Sequence, residues 1–196
     1  MAQFEDLTGT LNASMRPEAC ILCRNVPPEG ESTLEHVFPK WLQHRFKLWN
    51  ATLTLLNGTG IPYRYLTVTA CRKCNSEYLS PIEDAVSAAV AAGYDAVRRL
   101  SHLLLTQWLS KIFLGILLKE CSLRIVRSKP DAGFIFTSDE MEQYNLLSYW
   151  LNTCRWRVSD GPSPSSIIVC RAKVPPDVKN QFDFRDSLQV FRRVIE

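Results

Sequence analysis

Apolar positions show no period over residues 1–19, where Gly, Asn, Thr, Pro and charges mix, and this predicts a loose lead-in rather than an element. The first patterned stretch is Leu34-Glu35-His36-Val37-Phe38. It reads as a short strand that delivers Glu35 and His36 to opposite sides of its pleat or to its frayed end. Pro39 stops that strand and can open a helix, with Trp41, Leu42, Phe46 and Leu48 on an apolar face and Lys40, Gln43, His44 and Lys47 turned away. Residues 50–62 read as a loop with an Asn57-Gly58-Thr59-Gly60 turn. Residues 63–70 alternate as a second strand rich in aromatic and β-branched types.

Past residue 74 the period changes. Residues 75–84 are helix-compatible, with Pro81 either a kink or the first-turn residue of a helix capped by Ser80. The Ala-, Leu- and Val-rich run 82–119, interrupted by Gly93 and Gly115, predicts two helices or one long bent one. Its most apolar part, 103–118, carries Gln107, Ser110 and Lys111 near its middle. A membrane span wants about 20 apolar residues and tolerates a central Lys poorly, so a buried helix is expected. Residues 121–127 and 133–137 read as short strands about a turn. A helix is expected from Ser138 to about Asn152, and further strands at 156–158 and 167–172.

Composition changes this picture little. With 196 residues and a 46% apolar fraction the chain can bury an ordinary core. A net charge of +3 is too small to argue for a polyanionic partner, but its distribution is uneven. From His36 to Ser76 there is no Asp or Glu, while Lys40, Arg45, Lys47, Arg64, Arg72, Lys73 and the titratable His44 all fall there. Such a stretch suits a phosphate backbone. Seven cysteines, an odd number, occur behind an N-terminal stretch without the apolar core of a signal peptide; reduced thiols in a cytoplasm are expected. Cys121, Cys154 and Cys170 lack knuckle spacing and are expected to act as small hydrophobes.

The chemistry concentrates between Cys20 and Asn75. Cys20-x-x-Cys23 and Cys71-x-x-Cys74 are two knuckles that can wrap one tetrahedral Zn²⁺ and close the intervening chain into a loop. Inside the loop and beside the second knuckle are a carboxylate (Glu35), an imidazole (His36) and a carboxamide (Asn75). These are the groups needed to hold a hard divalent cation and to deprotonate a nearby water.

Cys20-x-x-Cys23, Glu35-His36-Val37-Phe38-Pro39 and Cys71-x-x-Cys74-Asn75 together resemble the zinc-containing HNH endonucleases, a branch of the ββα-metal (His-Me finger) nucleases. The likeness covers residues 18–84 and implies an α+β fold. A flexible lead-in (1–17) would precede an N-terminal ββα-metal module with a structural zinc site (18–84), followed by a helix-rich α+β C-terminal region (85–196) without an assigned role. By resemblance His36 is the general base, and Glu35 and Asn75 are ligands of a catalytic Mg²⁺ or Mn²⁺ distinct from the structural Zn²⁺. The family's middle Asn, which orients the catalytic His, has two candidate counterparts, Asn57 ahead of Asn50. The implied activity is phosphodiester hydrolysis of DNA, in a phage, mobile-element or bacterial-defence setting, with the C-terminal helices as a platform for dimerisation or a partner subunit. The competing expectation is a non-catalytic zinc ribbon that binds nucleic acid or protein through its basic residues.

Overall fold

A computed structural model of the chain describes residues 16–121, 123–126, 128–135, 145–155 and 167–170. The lead-in before residue 16, the expected start of a helix at Ser138, the strand at 156–158 and the tail beyond 170 lie outside them. The described part mixes helices with two small sheets and is α+β.

β1 (Ser32–His36) pairs antiparallel with β4 (Thr67–Cys71), with Glu35 opposite Val68 and His36 opposite Thr67. Between them come a short helix α1 (Lys40–Arg45) and a hairpin of β2 (Thr52–Thr54) with β3 (Gly60–Pro62). After β4 the chain enters α2 (Arg72–Cys74), widens into a π-turn over Asn75–Leu79 and continues as α3 (Ser80–Ala92). Pro81 explains the widening. It has no N–H for the carbonyl four residues back and its ring crowds that carbonyl, so the preceding turn opens to the wider spacing. Ser80 compensates, its N–H and its Oγ both donating to the Asn75 carbonyl. α4 (Tyr94–Arg98), α5 (His102–Cys121) and α6 (Asn145–Asn152) follow.

Several expectations need correcting. β1 begins and ends two residues earlier than predicted, because Val37 and Phe38 turn into the core instead of extending the ladder. Residues 50–62 are not a plain loop. Gly58 at φ 80° closes a hairpin there, held by Leu55 N–H to the Thr59 carbonyl (2.9 Å). The second strand starts at Thr67 rather than Tyr63, since Pro62 leads into a 3₁₀ turn over Tyr63–Tyr65 that buries Tyr63 edge-on against Phe38. On α1 it is Gln43, not Phe46, that is buried, and its Nε2 donates to the Phe38 carbonyl.

Gly93, at φ 102°, breaks the helical run, but Gly115 does not and lies inside α5. A second break over residues 99–101 makes the run 82–119 three helices. The strands expected at 121–127 and 133–137 reduce, among the described residues, to one bridge between Arg124 and Phe134. Ile125 and Phe134 there are about half exposed, so little apolar surface rewards a longer ladder. Residues 167–170 have no regular structure.

Among the described residues one core joins the cysteine region to the helices. Ile21, Leu22, Val37, Phe38, Leu66 and Leu79 share it with Ile112, Leu114 and Ile116 of α5 and Leu151 of α6. No described helix is long and apolar enough to cross a membrane.

Candidate metal centre and adjoining polar cluster

The first knuckle is a tight turn in which Cys20 N–H bonds the Asn25 carbonyl and Arg24 N–H bonds the Cys20 carbonyl, with Arg24 left-handed at φ 64°. Ile21 N–H donates to the Thr69 carbonyl (2.8 Å), which fastens this turn beside β4. The second knuckle follows from the end of β4 into the helix, where Cys71 closes the strand and Cys74 the first turn. The ligand atoms of Cys20, Cys23, Cys71 and Cys74 all lie within 4.8 Å of one another, and Cys23 Sγ is 3.9 Å from Cys71 Sγ. A tetrahedron with Zn–S of about 2.3 Å has sulfurs about 3.8 Å apart, so the four thiols are close enough together to hold a metal ion, a geometry compatible with structural zinc.

Three of the four thiols act strongly on one another. Hydrogen bonds from Cys23 and Cys74 draw the Cys20 thiol far below its ordinary value. The reciprocal bond to Cys20 pushes Cys23 up to about 11 and Cys74 higher still. Arg24 is buried, and its Nε, Nη1 and Nη2 have no hydrogen-bond partner. Burial pulls it down to about 10, against the opposing influence of the Cys20, Cys121 and Cys23 sulfurs. An unpaired buried cation is costly, and a metal held by four thiolates would be an anionic neighbour able to offset it.

Glu35 and His36 close β1. Glu35 shares its side of the pleat with Thr33, and His36 faces the other way. Asn75, in the π-turn, donates through Nδ2 to Thr33 Oγ1 (3.2 Å), which in turn donates to the Ala70 carbonyl (2.9 Å). Its amide nitrogen is thus tied to the strand. Glu35 is buried, and its Oε1 is 2.6 Å from Lys111 Nζ, itself 1% exposed. Lys111 also meets Glu83 Oε1 at 2.5 Å. Burial pushes Glu83 up to about 7, with Lys111 opposing and Glu35 reinforcing the shift. His36 is half-buried and its Nδ1 is buried without a partner. Burial, joined by Lys40 and Lys111, lowers it below the ordinary histidine value, with Glu35 acting the other way.

The remaining predicted residues are scattered around this cluster. Asn57 accepts Thr59 N–H through Oδ1 (3.0 Å) and donates through Nδ2 to the Arg124 carbonyl (2.9 Å), so its amide serves the hairpin turn. Asn50 Oδ1 accepts from Arg64 Nη1. Lys40, His44, Arg45 and Lys47 are exposed on and just after α1, and His44 stacks on Trp49 (4.6 Å between centroids), whose ring is 6.1 Å from that of His36. Arg64 lies over the Tyr65 ring. Arg72 and Lys73 are exposed beside the cysteines, with Arg72 3.9 Å from Glu31. Burial raises Cys121 to about 11 and Cys154 to about 12, the behaviour of unreactive buried thiols, whereas Cys170 is exposed. Lys111 and Glu83 were not among the sequence candidates; the one available signal was a lone Lys inside an apolar helical run.

No family model, no curated protein and no solved structure matches the chain.

Proposed function

We propose that the chain is a metal-dependent endonuclease of the HNH kind that hydrolyses phosphodiester bonds of DNA. The reading rests on one observation above all: β1 paired with β4, the helix that follows β4, and four cysteines gathered beside them, with Glu35 and His36 ending β1 and Asn75 starting the π-turn after α2. Cys20, Cys23, Cys71 and Cys74 would hold a structural Zn²⁺. Glu35, through its carboxylate, and Asn75, through its carboxamide oxygen, would hold Mg²⁺ or Mn²⁺, hard cations that favour oxygen donors. When bound, that ion supplies charge stabilisation to the phosphate and the leaving oxygen.

His36 acts as the general base. Its lowered affinity for protons keeps the imidazole neutral near pH 7 and able to accept a proton from water. Exposed Lys40 and Arg45 on α1, with Lys47 just beyond its end, suit the nucleic-acid backbone. Zinc-loaded protein with Mn²⁺ is expected to nick supercoiled plasmid. His36→Ala is expected to lower that rate at least a hundredfold with zinc content and circular dichroism unchanged; equal rates would reject the assignment.

A second reading, a non-catalytic zinc ribbon binding nucleic acid through the same cations, is favoured by the engagement of Glu35 Oε1 with Lys111. Mn²⁺ titration of the zinc-loaded chain separates the two: a second, weaker site lost in Glu35→Ala belongs to the enzyme, and its absence to the ribbon.

A further inference from the structure

Lys111 enters the polar cluster from α5, 75 residues along the chain from His36. Its ammonium faces four oxygens: the carboxylates of Glu35 (2.6 Å) and Glu83 (2.5 Å), the main-chain carbonyl of His36 (2.5 Å) and that of Val37 (3.3 Å). An ammonium has three N–H donors, so this set uses all of them and leaves none for solvent. One turn further along α5, Gly115 meets the same strand end. A Cβ placed there would come within 2.8 Å of Val37 Cγ2. The two positions are four apart and share a helix face. One fastens the His36–Val37 backbone by charge and the other admits it by lacking a side chain.

We infer that Lys111 is a positioning residue of the proposed centre, holding the end of β1 so that the His36 imidazole and the Glu35 carboxylate each keep one orientation. The inference rests on the nuclease reading. It also answers how His36 is oriented when Asn57 and Asn50 are engaged elsewhere: the fold holds the main chain of that residue, from a helix outside the cysteine-closed loop. Glu83, whose Oε1 lies against the same ammonium, gives Lys111 a second carboxyl partner beside Glu35. A lysine suits this place because it is a compact point charge with three donors, whereas a guanidinium would present a planar fork to oxygens that surround a point.

The test uses the full zinc-loaded chain as wild type, Lys111→Met and the double variant Lys111→Met/Glu83→Gln. The double variant also removes the buried carboxyl that Lys111→Met would leave without its ammonium, and so serves if the single variant folds poorly. Three quantities are read per zinc-loaded molecule: plasmid nicking at saturating Mn²⁺, the Mn²⁺ concentration for half-maximal rate, and the ¹⁵N resonances of the His36 imidazole. In a variant that folds and holds zinc, nicking is expected to fall at least tenfold at saturating Mn²⁺. The His36 resonances are expected to shift or broaden, because misplacement of about 1 Å at a reacting group costs on the order of a hundredfold. Unchanged nicking per folded molecule together with unmoved His36 resonances would show a purely structural lysine and overturn the inference. Absence of nicking by the wild type itself would reject the nuclease reading, and the inference with it.

Discussion

At the scale of single residues, the four cysteines and Arg24 belong to one electrostatic unit. Arg24 is held left-handed straight after Cys23, and its three guanidinium nitrogens are buried beside sulfurs without any other acceptor. Groups surrounding a metal's ligands typically change affinity by about 10- to 100-fold when removed. Arg24→Gln is therefore expected to weaken zinc binding about tenfold in a chelator-competition titration, with the fold retained at saturating zinc. Unaltered affinity would mean that the guanidinium is balanced by something other than the thiolates. The cysteine spacing was legible because each knuckle is a local turn, and the likelihood of four ligands meeting follows from two such turns. The partner of Glu35 was not legible. Nothing in the neighbourhood of Glu35 along the chain specifies a lysine on a helix 75 residues beyond His36.

At the scale of elements, α5 and the end of β1 are matched by shape as well as charge. Gly115 costs helix stability, roughly 1 kcal/mol relative to Ala. A methyl group there would meet Val37, a stiff β-branched side chain, at 2.8 and 3.0 Å, and overpacking of that kind costs about 1–3 kcal/mol. The steric cost exceeds the propensity gain. Gly115→Ala is expected to lower the urea midpoint, with Gly115→Ala/Val37→Ala recovering part of what the two single changes lose. If the two changes simply add, the close approach is not the reason for glycine. The hydrophobic period announced α5 correctly but read Gly115 as an interruption, because a break and a close approach carry the same sequence mark. The π-turn at Asn75 was half visible: Pro81 indicated a distortion, and only the packed helix shows that it opens the turn carrying Asn75.

For the whole molecule, the cysteine cluster and the helical region stabilise one another through a common core. Cys20 and Cys74 are members of the same buried cluster as Leu114 of α5 and Leu151 of α6. Structural zinc contributes on the order of 10 kcal/mol or more to the folded state, comparable with the whole stability of an ordinary domain, about 5–15 kcal/mol. Cys74→Ser, or a strong chelator, is thus expected to abolish the cooperative transition seen by near-ultraviolet circular dichroism over the whole described core. Loss confined to the first knuckle, with α5 and α6 protected from hydrogen exchange, would mean that the helices fold without the metal.

What the amino-acid sequence determined by itself was whatever depends on neighbours along the chain: the spacing of the two knuckles, the helical character of the residues after Cys74, the buried character of α5 and the acid-free stretch from His36 to Ser76. Tertiary structure decided what those elements face. It brought the knuckles within 4.8 Å, tied Asn75 to Thr33, left Asn57 in its hairpin and set Lys111 between Glu35 and Glu83. The physical reason is the same throughout. Turn chemistry and hydrophobic period act over a few residues, whereas a buried charge finds its partners only where packing brings distant segments together.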